Sequence, residues 1–217
     1  RSCYRLPYKD QYIIFVGHNL TYKEEMAMKK IALLIILASF TSYPALALEL
    51  TSDENGPVTV SEPALNVGDM APAVSLTTPN FKKMEVGGSK DKVQIISTIE
   101  SYNTSVCDLQ TMELNTAGKR LKNVEISIVT ANIPFVVDSF KSKHKISNVN
   151  LLSTFNSDDF GKKYGVQVVG GELTGILARS IFVIDKNGKV IYKDIPSNID
   201  KMPNLKMALE TAEKAAK

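Results

Sequence analysis

Residues 93–111, VQIISTIESYNTSVCDLQT, contain both the element that decides the fold class and the residue that suggests chemistry. The first seven of them, 93–99, are mostly apolar or β-branched, which predicts a buried strand. After Thr104 a helical pattern continues to about Lys119, so the strand is followed by a helix. Cys107 lies in the first turn of that predicted helix.

The rest of the chain after residue 47 alternates between strand and helix patterns. In order, the patterned segments are VEISIV (124–129, strand), PFVVDSFKSKH (134–144, helix), VNLL (149–152, strand), SDDFGKKYG (157–165, helix), SIFVID and KVIYKD (180–185 and 189–194, a hairpin around Asn187-Gly188) and 203–216 (helix). This order predicts an α/β fold with a central mixed sheet between helices. In such a sheet the loops after the strands face a common crevice, which is where Cys107 falls. Earlier, Val58-Thr59-Val60 between turn residues predicts an N-terminal β-hairpin or arm.

The first 47 residues have the pattern of a targeting segment. Two lysines at 29–30 precede an apolar run at 31–40 and a small-x-small site at Ala45-Leu46-Ala47, as in a secretory signal peptide. The run is short for a membrane span, which needs about 20 residues; a buried core helix is the alternative. We expect residues 1–27 to be upstream leader, not native protein, 28–47 a signal peptide and 48–217 the mature domain, periplasmic or secreted.

The charge of the predicted mature domain is balanced. Six of the chain's 26 basic residues and three of its 23 acidic residues lie in 1–47, so the net charge of +3 comes from that segment. A neutral domain without a basic block gives no electrostatic reason to expect nucleic acid or membrane as a partner.

Cys107 is the only cysteine in 48–217. Exported cysteines usually pair, so an unpaired one is buried and inert, bonded to another chain, or reactive. The first turn of a helix offers free backbone N–H groups and the positive end of the helix dipole, and both favour the thiolate.

Two further residues are candidates for the same site. Thr104 either caps the helix or aims its hydroxyl at the sulfur or at a substrate oxygen. Arg179 precedes the apolar run SIFVI and either stabilises the thiolate or forms a surface ion pair at a strand end. His144 lies among lysines and is interpreted as part of a solvated face.

The chain has no Cys-x-x-Cys, no metal-ligand spacing and no Gly-rich phosphate loop, so neither a metal nor a cofactor is expected.

Several short motifs together carry a family resemblance. They are GPVTV (56–60), VGDMAP (67–72), NTSVCDLQT (103–111), TANIPF (130–135), NVNLLSTF (148–155), KYGV (163–166) and GILARSIFVIDKNGKVIY (175–192). In this order they resemble the bacterial thiol peroxidases, the atypical 2-Cys branch of the peroxiredoxins, which have a thioredoxin-like fold. The resemblance implies that Cys107 attacks a peroxide and becomes a sulfenic acid, that Thr104 orients both, and that Arg179 stabilises the developing charge. It also implies a homodimer with an apolar-walled pocket.

Three residues depart from the family pattern. Glu100 replaces the proline usually found four residues before the catalytic threonine, and its charge is expected to disfavour the thiolate. Met112 replaces a basic residue found in many relatives. Lys141 stands where the family has its resolving cysteine, so the usual internal disulfide cannot form. The sulfenic acid then needs an external thiol or thioredoxin-like reductant, and overoxidation is a greater hazard.

Two functions follow for this chain. The first is an exported, antioxidant thiol peroxidase that reduces hydrogen peroxide and organic hydroperoxides in a one-cysteine cycle. The alternative is a catalytically weak thioredoxin-fold dimer that acts as a binding module or a peroxide sensor. The three departures support the alternative, whereas retention of Cys107, Thr104 and Arg179 supports the enzyme.

Overall fold

The computed structural model describes residues 48–102 and 104–217, so the predicted leader, the signal peptide and Asn103 lie outside the described residues. The strands are β1 (Glu49–Ser52), β2 (Gly56–Val60), β3 (Val74–Thr77), β4 (Lys83–Val86), β5 (Val93–Thr98), β6 (Val124–Thr130), β7 (Asn150–Ser153), β8 (Val168–Gly170), β9 (Ser180–Ile184) and β10 (Val190–Asp194). The helices are α1 (Ser105–Gly118), α2 (Pro134–Lys143), α3 (Asp159–Tyr164) and α4 (Leu205–Ala215). Within the described residues no helix is suited to crossing a membrane.

A seven-stranded mixed sheet forms the centre of the domain. Its strand order is β10-β9-β5-β6-β7-β3-β4, with β5, β6 and β7 parallel and the remaining pairs antiparallel. All six residues of β5 are buried, as expected for a strand covered on both faces. One face packs against α1, α2 and α4, and the other against α3. The predicted α/β architecture with a central mixed sheet is confirmed.

The predicted N-terminal hairpin is present and supports the segment next to Arg179. Strands β1 and β2 pair antiparallel, from Glu49 opposite Thr59 to Ser52 opposite Gly56. The amide of Thr51 donates to the carbonyl of Ser197 at 2.8 Å, and the amide of Ile199 donates to the carbonyl of Thr51 at 2.9 Å. The hairpin therefore fixes the backbone of residues 197–199.

The structure contains strands that the sequence patterns did not reveal. Strands β3 and β4 form a hairpin in which apolar and polar residues alternate (VSLT and KMEV), but each strand has only four residues, too few for the alternation to stand out in the sequence. Strand β8 has only three residues and pairs with β2. The helix predicted at 157–165 is shorter, Asp159–Tyr164, and it ends at Gly165, whose φ of 68° suits glycine.

Candidate active site

Cys107 lies in the first turn of α1, directly beyond the carboxyl end of β5. Its side chain is fully buried. Thr104 is the N-cap residue, with extended backbone angles (φ −114°, ψ 141°), and its carbonyl accepts from the amide of Asp108 at 3.1 Å. The sulfur is thus removed from water at the end of the helix where backbone N–H groups lack intrahelical partners.

Arg179 is brought to the sulfur by the pairing of β9 with β5. Thr98, the last residue of β5, lies opposite Ser180, so the preceding Arg179 reaches the turn between β5 and α1. Its guanidinium Nη2 lies 3.4 Å from the Sγ of Cys107. The side chain is 1% exposed. The interpretation of Arg179 as a surface ion pair at a strand end is therefore wrong, because the arginine is buried against the thiol.

Two hydrogen bonds hold the guanidinium in this position. Its Nε donates to the carbonyl of Ile199 at 2.7 Å, and its Nη1 donates to Oε1 of Gln110 at 2.9 Å. Gln110 is in turn fixed by β5, since its Nε2 donates to Oγ of Ser97 at 2.6 Å. These hydrogen bonds hold the positively charged guanidinium of Arg179 in one position beside the sulfur.

Gln110 is a site residue that the sequence reasoning missed. It lies three residues after Cys107, which places both side chains on the same face of α1. A polar side chain on a face that is otherwise buried was the available signal, because buried polar groups need specific partners. That partner, Arg179, is distant in sequence, and only the sheet register brings the two together.

Glu100 points towards the same arginine. Its Oε1 lies 3.4 Å from the Nη2 of Arg179, the atom that also contacts the sulfur, and its side chain is 12% exposed. Burial raises the pKa of the Glu100 carboxyl, Arg179 opposes that shift, and Asp200 adds to it. The carboxyl that replaces the usual proline is thus part of the buried site.

Residues 66–209 match the Redoxin family. The thiol peroxidase of Aquifex aeolicus is 39% identical over 151 residues, which cover 70% of this chain and 89% of that protein. The thiol peroxidase of Bacillus subtilis is 35% identical over 164 residues, covering 76% and 96%. The chain belongs to the Redoxin family, among the bacterial thiol peroxidases.

Solved structures agree with this assignment. A peroxiredoxin-like protein from Aquifex aeolicus is 36% identical, with a TM-score of 0.74 over 78% of this chain and 98% of the other. A thiol peroxidase from Chromobacterium violaceum is 18% identical with a TM-score of 0.69, which shows the shared fold. This protein is therefore a peroxiredoxin, and its activity is thiol-dependent reduction of peroxide.

Thr104 is the N-cap residue of α1, but its side chain makes no capping hydrogen bond. Instead its hydroxyl donates to the carbonyl of Ser101 at 3.4 Å, a long contact. The cap interpretation therefore holds for the backbone of Thr104 and not for its hydroxyl. Its orienting role towards the sulfur and the peroxide stays a prediction.

Three aromatic rings stack in and beside the core cluster that contains Cys107. Tyr102 stacks on Phe140 at 4.1 Å, and Phe140 stacks on His144 at 4.4 Å. Tyr102 belongs to the core, and burial raises the pKa of its hydroxyl. His144 is not part of a solvated face, since its ring is half-buried and its Nε2 has no contact with solvent.

The other two departures from the thiol peroxidase pattern lie at the surface. Met112 is exposed on α1, and Lys141 is exposed near the end of α2. Cys107 is a free cysteine. Within residues 48–102 and 104–217 no cluster of side chains has the composition of a metal site.

Proposed function

We propose that this thiol peroxidase is exported and reduces hydrogen peroxide and organic hydroperoxides through a sulfenic acid on Cys107, in a one-cysteine cycle. The observation that carries the proposal is the 3.4 Å contact between the guanidinium of Arg179 and the sulfur of a fully buried cysteine. Within a site removed from water, a fixed positive charge stabilises both the thiolate and a developing oxyanion.

The chemical step follows from this arrangement. The thiolate attacks the terminal oxygen of the peroxide, the one that carries the hydrogen; an S–O bond forms and the O–O bond breaks. The sulfur becomes a sulfenic acid, and the other oxygen leaves as an alkoxide or hydroxide that takes up a proton. Thr104 orients the peroxide, and Arg179 stabilises the negative charge on the leaving oxygen.

The reductant comes from outside the chain. Because Lys141 replaces the resolving cysteine, the second half of the cycle requires an external thiol or a thioredoxin-like protein. Cys107 is fully buried, so the first turn of α1 must open before a bulky thiol reaches the sulfur. Helix ends are the segments that open at the smallest cost in free energy.

A steady-state assay tests the proposed activity. With dithiothreitol as the reductant, the chain from Leu48 onward is expected to consume hydrogen peroxide and cumene hydroperoxide catalytically. Cys107→Ser is expected to be inactive, and Thr104→Val to be about tenfold slower because one positioning hydrogen bond is worth about 1.4 kcal/mol. Met112→Leu is the matched control on an exposed position of the same helix. Peroxide consumption that survives Cys107→Ser would contradict the proposal.

Export and assembly belong to the same proposal. Removal of a signal peptide at 28–47 would leave a mature chain starting near Leu48. An exposed apolar cluster, with Phe81 and Phe135 in edge contact at 5.0 Å and Phe135 69% exposed, supports a homodimer. Peptide mapping and analytical ultracentrifugation of the protein from its native host check both points. A peptide from residues 1–27, or a monomer at micromolar concentration, would contradict them.

One observation favours the alternative, a catalytically weak binding module or peroxide sensor. Glu100 lies as close to the Nη2 of Arg179 as Cys107 does, and a carboxylate there competes with the thiolate for the same charge. If that competition dominates, the steady-state assay gives no turnover above that of a free thiol.

A further inference from the structure

One nitrogen of Arg179, Nη2, contacts two acidic groups. Its Nη2 lies 3.4 Å from the Sγ of Cys107 and 3.4 Å from Oε1 of Glu100, while Nε and Nη1 are bound to Ile199 and Gln110. A thiolate and a carboxylate together carry two negative charges, and the arginine offers one positive charge. Two anions beside one cation in a buried site are unfavourable, so one of the two acidic groups tends to keep its proton.

The Glu100 carboxyl has a buried oxygen, Oε1, that faces Arg179 but accepts no hydrogen bond from the described residues. This oxygen is inaccessible to solvent. The approach of Arg179 is an ion-pair distance without hydrogen-bond geometry. A buried carboxyl oxygen without a hydrogen bond is unfavourable, and this one is available for a hydrogen bond with a molecule that binds beside the sulfur.

We propose that Glu100 is a general acid for this peroxidase, which protonates the oxygen that leaves when the Cys107 thiolate attacks the peroxide. The inference rests on the proposed sulfenic-acid chemistry and adds a catalytic residue to it. The Sγ of Cys107 and the Oε1 of Glu100 each lie 3.4 Å from the same Nη2. In the proposed step a peroxide bound beside that nitrogen presents one oxygen to the sulfur and the other to the carboxyl.

Atoms and charges balance in this step. The thiolate forms a bond to the terminal, hydrogen-bearing oxygen, the O–O bond breaks, and the sulfur is oxidised as the peroxide is reduced. The leaving oxygen takes the proton of the Glu100 carboxyl and departs as alcohol or water. The site begins with a thiolate, an arginine and a neutral carboxyl, and it ends with a neutral sulfenic acid, an arginine and a carboxylate. Arg179 thus exchanges one anionic partner for the other.

The electrostatic surroundings of Glu100 support retention of its proton. Burial raises the pKa of the carboxyl, and the negative charge of Asp200 raises it further, whereas Arg179 lowers it. Among the described residues, the charged groups that act on the Glu100 carboxyl are Arg179, in the segment before β9, and Asp200, in the segment after β10. Cys107 on α1 shares the Nη2 of Arg179 with this carboxyl. Because the acid form is the active one, the rate with hydrogen peroxide falls as the pH rises through the pKa of Glu100.

Peroxides with different leaving groups distinguish general-acid catalysis by Glu100 from a purely electrostatic effect of its carboxyl on the reaction. Hydroxide leaves poorly without a proton, whereas the acetate released from peracetic acid needs none. Glu100→Gln is expected to slow sulfenic-acid formation with hydrogen peroxide by about 100-fold, at the low end of the usual contribution of a positioned acid. With peracetic acid the same substitution is expected to change the rate less than about threefold, because no proton transfer assists that step.

The controls keep the result interpretable. Glu113→Gln makes the same carboxyl-to-amide change at an exposed position of α1 and is expected to leave both rates unaltered. Glu100→Asp retains an acid and is expected to recover part of the hydrogen peroxide rate. Difference infrared spectra on addition of one equivalent of hydrogen peroxide are expected to show loss of a protonated carboxyl band, absent in Glu100→Gln.

The outcomes separate the inference from the function on which it rests. Similar losses with both peroxides, no loss with hydrogen peroxide, or faster reaction of Glu100→Gln would each overturn the general-acid role while the peroxidase remains. If the unaltered protein reacts with neither peroxide faster than its urea-unfolded chain, the proposed function fails, and the general-acid role fails with it.

Discussion

Replacing Arg179 with lysine is expected to slow the reaction of Cys107 with hydrogen peroxide by about 100-fold or more, the effect of removing one preorganised donor from a developing oxyanion. Lysine keeps a positive charge but lacks the planar fork, so it cannot bind Ile199, Gln110 and the sulfur at once. The charge is then no longer fixed beside the sulfur.

Single-turnover kinetics with a sulfenic-acid trap measure this effect, with urea unfolding to verify that the variant is folded. Arg120→Lys is the matched control, since Arg120 is exposed just beyond α1. Arg179→Ala is expected to be at least as slow as Arg179→Lys. A folded Arg179→Lys variant that reacts within about threefold of the unaltered protein would show that a fixed guanidinium is not required.

Excess peroxide without a reductant is expected to inactivate nearly every chain by converting Cys107 to sulfinic acid. The sulfenic acid has no resolving thiol within 48–217, so a second peroxide molecule competes only with external thiols. Intact mass spectrometry of the protein after exposure to about ten equivalents of peroxide measures the overoxidised fraction.

A second cysteine supplied at the family position is expected to protect the protein. In Lys141→Cys the sulfenic acid condenses to a disulfide once the start of α1 and the end of α2 open, because the two thiols must approach to disulfide distance. Lys143→Cys, also exposed on α2, is the control and is expected to give little protection. Equal protection by both variants, or by neither, would contradict a specific role for position 141.

The sequence was sufficient to predict the main architecture, because its strong patterns are local. The apolar run at 93–99 and the helical run after Thr104 correspond to β5 and α1, and Asn187-Gly188 correctly indicated the β9–β10 hairpin. The pairs β3–β4 and β2–β8 were missed, since strands of three to five residues are too short for their alternation to stand out. Their pairing depends on tertiary context rather than on local pattern.

The candidate site could be predicted in part. Cys107 and Arg179 were chosen from pattern and resemblance, and the structure brings them into contact. Gln110 was missed, and the orientation of the Glu100 side chain could not be predicted from the sequence. The contacts of both residues with Arg179 depend on the strand register that places Arg179 beside the end of β5. Contacts between residues some 70 to 80 positions apart are set by sheet topology, which no local pattern encodes.

The proposal that Cys107 and Arg179 form a peroxidase site is tested most directly by the single-turnover rate at which Cys107 forms a sulfenic acid with near-stoichiometric hydrogen peroxide. This rate is compared between the folded protein and the same chain unfolded in urea. Both samples contain the same thiol, so the ratio isolates what the fold contributes. We expect the folded protein to react at least about 100-fold faster, since the guanidinium of Arg179 is held beside the reacting atoms. A folded protein that reacts no faster than its unfolded chain would show that the contact between Arg179 and Cys107 is not a peroxidase site.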